Sequence, residues 1–195
     1  VPMIATPETT TLFFNGKDLA NWNGTPEVWR VENGEIVGAS KTGLKQNDFL
    51  KSEFVLDDFR LVFKVKLTPN NANSGVQFRS EPFEGHEMKG PQADIGAGWW
   101  GKIYEENGRG LLWDKPGDGH VKSGDWNTYE ILAVGGKIRT ALNGQLCTDL
   151  DDAKVARRGV VGLQVHSGGP LEVRFKDFEL ELNPKFELRT AKASQ

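Results

Sequence analysis

The sequence predicts an all-β fold, either a β-sandwich or a jelly roll, and three observations carry that prediction. Glycine accounts for 23 of the 195 residues, well above the usual ~7%. Aromatic residues are abundant, with 11 Phe and 6 Trp against only 2 Tyr. Apolar and polar residues alternate over many short segments separated by turn residues, a pattern typical of short strands joined by tight turns.

The first half of the chain contains two clear strand signals. Residues 28–31 and 36–38 flank Asn33-Gly34, and an Asn-Gly pair supplies the positive φ that a type I′ hairpin turn requires. Further on, apolar residues alternate with Arg and Lys over residues 59–67, which predicts a half-buried strand. We therefore expect a hairpin followed by a long strand.

The second half predicts a meander of strands and only one short helix. Residues 129–134 and 137–142 are joined by Gly135-Gly136 and are predicted to form two antiparallel strands. Apolar positions then change from odd to even numbers at Lys176-Asp177, and a β-bulge produces such a one-residue shift. Only residues 149–158 resemble a helix.

The chain is predicted to form one domain over residues 11–183, with a flexible N-terminal segment at 1–10 and a C-terminal tail at 184–195. No break in composition divides it, and a chain of this length buries a real core without disulfides. The start at Val1 rather than Met leads us to expect an exported protein, periplasmic or extracellular, whose targeting segment has been removed. The single cysteine, Cys147, is interpreted as a small filler residue on a strand.

Charge and motifs exclude several classes of function. The chain has 24 Lys and Arg against 27 Asp and Glu, a formal net charge of −3. Nucleic-acid binding requires a strongly basic face and a membrane helix requires ~18 consecutive apolar residues, so we expect neither partner. Walker-loop, HExxH, GxSxG and CxxC patterns are missing, which disfavours NTPases, zincins, serine hydrolases and thiol redox proteins. No organic cofactor is expected.

Four short segments place polar side chains on one strand face and apolar side chains on the other. Positions i and i+2 of a strand share a face, so each segment presents a pair of polar groups. The pairs are Gln77 with Arg79, Gln92 with Asp94, Lys102 with Tyr104, and Gln164 with His166. Most of these residues make directed hydrogen bonds, unlike the Lys, Glu and Thr of an ordinary solvated face. We predict that they form a site on one concave sheet face. The alternatives are solvent-exposed strand faces that are unrelated to one another, or a polar network whose members hydrogen-bond only among themselves.

Glycine-rich loops border the Gln92–Asp94 pair. Residues 85–91 precede it, and residues 96–101, which include Trp99-Trp100, follow it. An exposed Trp stacks on the apolar face of a sugar ring or of another planar ligand, and Gly lets the backbone approach a ligand closely. We expect one of the two tryptophans to pack in the core and Trp99 to stack on a ligand.

Several side chains are candidates for acid–base catalysis. Glu87 and Asp94 could form the carboxylate pair of a glycosidase, which requires a separation of roughly 5–9.5 Å. His166 could act as a general base or ligate a metal, because imidazole titrates near neutrality. Glu105 and Glu106 are further carboxylate candidates, and solvation at the surface is the favoured interpretation of both.

Motifs along the chain also occur in a fixed order. The segment LFFNGKDL at residues 12–19, the strand NSGVQFR at 73–79 and the acidic region at 85–94 are followed by matching blocks near residues 126, 143, 164–166 and 173–178. Together they resemble, over residues 11–182, the family described as 3-keto-disaccharide hydrolases or 3-keto-glucoside lyases, formerly domain of unknown function 1080. Here four residues separate Glu87 from Gln92. In many members of the family the corresponding Glu and Gln are separated by a single residue. Gln92 and Asp94 therefore match the family more firmly than Glu87 does.

The resemblance implies a concanavalin A-like jelly roll with carbohydrate chemistry on its concave face. Members are thought to cleave glycosides whose sugar carries a 3-ketone, because the ketone acidifies the C2 proton and the glycosidic oxygen then leaves by elimination. Such a site needs a base, and a cation or directed donors to stabilise the enediolate, so a divalent metal ion is one expected cofactor.

The resemblance also suggests roles for the candidate residues. His166 or Glu87 is expected to be the base, and Asp94 to orient a neighbour or hold a metal. The expected substrate, a glucoside or 3-keto-glucoside, would contact the remaining residues. These are Arg79, Gln77, Gln92, Trp99, Tyr104 and Gln164.

Two other functions stay open at this point. The same kind of sandwich serves lectins, and fold alone does not fix function, so a non-catalytic carbohydrate-binding module is one alternative. A conventional two-carboxylate glycoside hydrolase is the other, and it requires a second carboxylate within about 10 Å of Asp94.

Overall fold

The computed structural model describes residues 1–192, which form a sandwich of two seven-stranded sheets. The strands are β1 (Met3–Ile4), β2 (Trp22–Asn23), β3 (Trp29–Glu32), β4 (Glu35–Ser40), β5 (Asp48–Ser52), β6 (Phe54–Val55), β7 (Phe59–Thr68), β8 (Ser74–Pro82), β9 (Met88–Ile95), β10 (Ile103–Glu106), β11 (Gly110–Trp113), β12 (Asn127–Val134), β13 (Lys137–Leu142), β14 (Gln145–Asp151), β15 (Val160–Val165) and β16 (Leu171–Leu182). The front sheet has the order β11-β10-β9-β8-β15-β5-β2, and the back sheet β14-β13-β12-β7-β16-β4-β3. Neighbouring strands in both sheets are antiparallel, so the predicted β-sandwich is confirmed.

The core lies between the sheets, because the strands turn apolar side chains inward at alternate positions. Val76 on β8 and Ala93 on β9 are fully buried there, and the ring of Phe63 on β7 stacks on that of Tyr129 at 5.5 Å. The Tyr129 hydroxyl donates a hydrogen bond of 3.0 Å to the backbone carbonyl of Asp94. The core therefore supports the strand that carries a predicted site residue.

The structure confirms the predicted hairpin and the predicted bulge. β3 and β4 pair across Asn33-Gly34, whose φ values of 53° and 76° match a type I′ turn. On β16 the register shifts after Lys176, where Asp177 adopts a φ of 56°. Both features were predictable because they depend on residues that are adjacent in sequence.

The predicted helix at residues 149–158 is wrong. β14 extends to Asp151, and Asp149 forms a salt bridge of 3.1 Å with Arg139 on β13. Strand pairing therefore takes residues that the local sequence assigned to a helix. Within residues 1–192 there is no α-helix, and hence none that is long and apolar enough to cross a membrane.

The N-terminal motif anchors the chain to the sandwich. Phe13 is buried against Trp22 and Phe178, with ring centroids 5.0 and 5.5 Å away, and Trp22 Nε1 donates to the Phe13 carbonyl at 2.6 Å. The side-chain oxygen of Asn15 accepts hydrogen bonds from two backbone N–H groups of the following turn. Ahead of this motif, β1 pairs in parallel with β6.

After β16 the chain returns across the back sheet and is held by Glu130. The Glu130 carboxylate accepts hydrogen bonds from the backbone N–H groups of Arg189 and Thr190 at 2.8 and 2.7 Å. Arg60 donates to Glu130 at 2.8 Å and also to the backbone carbonyl of Glu187. This part of the C-terminal tail is therefore attached to the sandwich by a buried ion pair.

Candidate functional site

A pocket of about 190 Å³ opens on the outer face of the front sheet, opposite the core. Its walls come from β9, β10 and the segments that adjoin β8, β9 and β15. The lining residues are Asn73, Gln92, Asp94, Trp99, Tyr104, Glu106 and His166. Five of the seven are residues that the polar pairs and the glycine-rich loop pointed to.

Strand register brings these side chains together. Asp94 pairs with Gly75, which in turn pairs with Gln164, and Gln92 pairs with Tyr104. A Cβ atom at Gly75 would lie 2.4 Å from the Cδ of Gln92. The side chain of Gln92 therefore lies directly over the Gly75 backbone, and the pocket requires glycine at that position.

Several buried polar atoms of this region lack protein partners. The exposed fractions of Gln92, Asp94 and Gln164 are only 1%, 3% and 0%. Gln92 Nε2 donates to Asp94 Oδ1 at 2.8 Å. Gln92 Oε1 and Asp94 Oδ2 have no hydrogen-bond partner in the described part of the chain, and the Gln164 amide has none of good geometry, although it lies close enough to Glu106 to lower the pKa of that residue. Buried polar atoms without partners are costly and uncommon, so their concentration here indicates a place for a polar ligand.

The surroundings of Asp94 favour its protonated carboxyl over the carboxylate. Burial and, to a smaller extent, the charge of Glu106 raise the pKa of Asp94 to about 8. The hydrogen bond from Gln92 and the charge of Lys102 lower the pKa of Asp94 but do not offset its burial. Because Gln92 donates to Oδ1, the proton is carried by Oδ2. Oδ2 is the oxygen without a protein partner, so it is free to donate a hydrogen bond to a ligand.

Glu106 belongs to the pocket, and its interpretation as a solvated residue is wrong. It lies two residues after Tyr104 on β10 and shares the outer face with it. Its partner on β9 is Gly90, which places no side chain in the way. The adjacent Glu105 is the surface residue of the two, and forms a salt bridge of 2.8 Å with Arg109.

The surroundings of Glu106 favour the protonated acid. Burial raises the pKa of Glu106, and the nearby charge of Glu87 raises it further, whereas His166 lowers it. Glu106 in turn raises the pKa of Asp94. Two carboxyl groups and one imidazole therefore influence one another within this pocket.

His166 forms another part of the wall. Its Nδ1 lies 2.7 Å from the backbone carbonyl of Ser167. A carbonyl only accepts, so Nδ1 carries the hydrogen and Nε2 of the neutral ring keeps its lone pair. Asn47 accepts from the Ser167 N–H at 2.8 Å and donates to Glu87 Oε1 at 3.4 Å. Glu87 therefore lies near His166 at the edge of the pocket and outside its lining.

Trp99 supplies an aromatic wall. The Lys102 ammonium lies 5.0 Å from its ring centroid, and the Tyr104 ring packs edge-on at 6.2 Å. Lys102 is itself fixed by a 2.8 Å salt bridge with Asp114. Trp100 is buried in the core, as expected for one of the two tryptophans. Trp99 therefore lines the pocket, whereas Trp100 packs in the core.

Arg79, expected from the sequence to bind substrate, does not line this pocket. It adopts a left-handed φ of 47° where the register of β8 shifts, and this breaks the alternation that placed it beside Gln77. The buried guanidinium donates to Asp58 Oδ1 at 3.0 Å and to three backbone carbonyl groups. Arg79 therefore holds segments of the chain together.

Gln77, also expected to contact substrate, lies outside the pocket lining and is held by other parts of the protein. It is fully buried, and its Nε2 donates to Ser80 Oγ at 2.9 Å and to a backbone carbonyl of β9 at 3.1 Å. An apolar cluster of Met88, Phe49 and Val160 lies on this part of the sheet. The sheet is therefore covered by apolar side chains beside the pocket.

The pocket contains no cluster of three strong metal ligands. Asp94, Glu106 and His166 line it, yet no three His, Cys, Asp or Glu side chains within residues 1–192 converge closely enough to hold a metal. No chemical step below therefore passes through a metal.

Sequence reasoning did not single out the lining residue Asn73, and it ranked Glu106 only as a less favoured candidate. Asn73 immediately precedes β8 in the NSG motif, which was interpreted as a strand signal only. Glu106 is two residues beyond Tyr104, so extending the period-two pattern by one step would have included it.

The protein is therefore a β-sandwich with a small polar pocket on one sheet. The ring of Trp99 lines one side of the pocket, and the buried side chains of Gln92 and Asp94 lie at its base. The family profile of the 3-keto-alpha-glucoside-1,2-lyase-like domain matches residues 8–181. The chain therefore belongs to that family. No protein of curated function matches the chain in sequence.

Solved structures share the fold. Two candidate glycosyl hydrolases from Parabacteroides distasonis ATCC 8503 superpose with TM-scores of 0.66 and 0.67 at 22% and 18% identity. The alignments cover 85% and 92% of this chain, and 95% and 98% of those proteins. A carbohydrate-binding module from Bacillus subtilis superposes with a TM-score of 0.61 at 17% identity, over 83% of this chain and 95% of the module. At these identities the likeness establishes the fold.

Proposed function

We propose that this protein cleaves 3-keto-glycosides by elimination across C1 and C2 of the oxidised sugar. The observation that carries the proposal is the pocket that Asp94 shares with the imidazole of His166, in which the buried Asp94 Oδ2 has no protein partner. Membership of the 3-keto-alpha-glucoside-1,2-lyase-like family supports the same class of substrate.

The reaction makes two demands that the pocket residues can meet. A ketone at C3 makes the C2 proton acidic, so a positioned base can remove it. The negative charge that develops on the C3 oxygen then requires a hydrogen-bond donor aimed at it. Collapse of the resulting enediolate expels the glycosidic oxygen from C1 and leaves a C1=C2 double bond.

His166 is the base in this proposal. Its Nδ1–H is fixed on the Ser167 carbonyl, so the lone pair of Nε2 is available to take the C2 proton. The nearby Asn47 holds the Ser167 N–H and thereby limits rotation of this segment. Glu87, the other base considered from the sequence, lies outside the lining and acts on the pocket through its charge on Glu106.

Asp94 is the donor to the C3 oxygen. Gln92 occupies Oδ1, so the carboxyl presents its proton from Oδ2, and at pH 7 it is below its pKa of about 8. A neutral acid in an apolar setting donates without the cost of burying a charge. The ring of Trp99 offers the sugar an apolar surface on which to stack.

A direct test compares a 3-keto-glucoside with the same glucoside before oxidation, with the products followed by NMR. We expect release of the alcohol from the 3-keto substrate alone, with a C1=C2 double bond or its hydrate in the other product. A chelator should leave the rate unchanged, because the pocket residues do not form a metal site. No turnover of the 3-keto substrate under any metal condition would overturn the proposal.

One observation favours a second candidate, a conventional two-carboxylate glycoside hydrolase. Asp94 and Glu106 line the same pocket, so the second carboxyl that such an enzyme requires is present. The same experiment separates the two functions, because a conventional hydrolase would cleave the unoxidised glucoside. Binding of both sugars without cleavage of either would instead indicate a carbohydrate-binding module.

A further inference from the structure

We propose that Glu106 is the general acid that protonates the departing glycosidic oxygen. This inference rests on the proposed elimination and adds a third role to the pocket. Glu106 lines the pocket together with Asp94 and His166, and it shares the outer face of β10 with Tyr104.

The elimination leaves one proton transfer without a group to perform it. His166 removes the C2 proton, and Asp94 donates to the C3 oxygen. The oxygen that leaves C1 belongs to an alcohol, and an alkoxide is a poor leaving group unless it is protonated as the bond breaks. A third proton-bearing side chain in the pocket is therefore required for alcohol leaving groups.

Among the other lining residues, only Glu106 and Tyr104 carry an ionisable O–H group. A carboxylic acid is the stronger acid of the two by several pKa units. The half-buried position of Glu106 and the charge of Glu87 both favour its protonated form, which a general acid needs before the reaction. Glu106 therefore meets the chemical requirement better than Tyr104.

The neighbouring imidazole allows the site to reset. His166 gains a proton when the C2–H bond breaks, and Glu106 loses one when the C1–O bond breaks and the alcohol forms. Transfer of a proton from the imidazolium to the Glu106 carboxylate, directly or through the product alcohol, restores both groups. The electron pair of the C2–H bond becomes the C1=C2 bond, so the step balances without oxidant, reductant or co-reactant.

The test uses Glu106→Gln and two 3-keto-glucosides that differ only in the leaving group, methanol or 4-nitrophenol. Nitrophenolate leaves without protonation, so we expect its release to slow by less than about 10-fold, whereas release of methanol should slow by about 10²–10⁴-fold. Glu105→Gln is the matched control, because that carboxylate pairs with Arg109 outside the pocket. It should leave both rates unchanged.

Equal slowing of both substrates, or slowing of neither, would overturn the assignment of Glu106 as the acid. Thermal unfolding establishes that Glu106→Gln remains folded. Binding of a 3-keto C-glycoside, whose carbon–carbon linkage cannot be cleaved, establishes that the variant still binds ligand. If the wild-type protein cleaves neither glucoside, the proposed function itself fails. Wild-type turnover combined with equal losses in the variant removes only the role of Glu106.

Discussion

Glu130 on the back sheet and Asp94 on the front sheet are both buried carboxyl groups, and they differ in the hydrogen bonds that surround them. The carboxylate of Glu130 accepts from Arg60, from two backbone N–H groups and from the Thr190 hydroxyl. Although burial alone would raise its pKa, these hydrogen bonds lower the pKa of Glu130 below its usual range. Asp94 has one protein donor, and its pKa rises to about 8. A buried polar group without partners, rather than burial itself, distinguishes the ligand pocket from a structural anchor.

The largest effect on stability is expected from Glu130→Ala. This change removes the buried partner of Arg60 and leaves only the exposed Glu181 and a backbone carbonyl, so we expect a loss of about 3–5 kcal/mol in the free energy of unfolding, measured in urea. Glu181→Ala is the matched control, since Glu181 pairs with the same arginine but is 55% exposed, and should cost less than about 1 kcal/mol. Equal losses would remove the distinction between the buried anchor and a surface pair.

Two substitutions at Asp94 separate a donor from a carboxylate base. Asp94→Ala should reduce kcat for a 3-keto-glucoside by about 10²–10³-fold, because the donor to the C3 oxygen is lost. Asp94→Asn keeps an N–H donor in place of the Oδ2 proton and should retain activity within about 10-fold. With the 4-nitrophenyl 3-keto-glucoside, whose release does not require a protonated Glu106, the wild type should lose activity as pH rises through about 8, where Asp94 ionises, and the Asn variant should not. An Asn variant as inactive as the Ala variant would show that an ionised Asp94 is needed.

The same residue predicts a dependence of stability on pH. The pKa of Asp94 is 3.8 in the unfolded chain and about 8 in the folded protein, so the folded state binds the proton more tightly. The contribution of Asp94 to stability therefore falls as pH rises from about 4 to about 8. Asp94→Asn should stabilise the protein at pH 8, on the order of 3 kcal/mol, and much less at pH 4. Calorimetry at the two pH values tests this, with the exposed Asp177→Asn as a control that should show no such difference.

A smaller effect is expected at the aromatic wall. Trp99→Ala should raise KM for a 3-keto-glucoside by about 10-fold through loss of stacking, with little change in Tm, because Trp99 is half-buried at the pocket. Phe186→Ala is a suitable control, since Phe186 lies on the back sheet with the Arg139 guanidinium 4.2 Å from its ring centroid. If KM is unchanged in Trp99→Ala, the ring does not contact the sugar.

Local sequence predicted the hairpin at Asn33-Gly34 and the bulge after Lys176, because turn residues and strand period act over neighbouring positions. It also pointed to Gln92, Asp94 and His166, whose period-two spacing survives in the structure. Period-two spacing predicts which side chains share a face wherever the strand has no bulge.

The failures have a common physical origin, which is tertiary structure. Arg79 is misplaced because a left-handed residue reverses the strand face, and no turn residue in the sequence marks it. Gln77 is covered because Met88 from the neighbouring strand lies over Gly162 beside it, a contact between segments far apart in sequence. Glu106 follows the period-two pattern of Tyr104, but its place in the pocket also depends on the pairing of β10 with β9, which joins residues distant in sequence.

The central claim, that Asp94 and His166 promote removal of the C2 proton, is tested most directly with a 3-keto-glucoside deuterated at C2. If elimination occurs, the alcohol should be released more slowly than from the protonated substrate, and the deuterium should be lost from the sugar. Release of the alcohol at equal rates, with deuterium retained at C2 of the sugar product, would contradict the account and indicate displacement at C1.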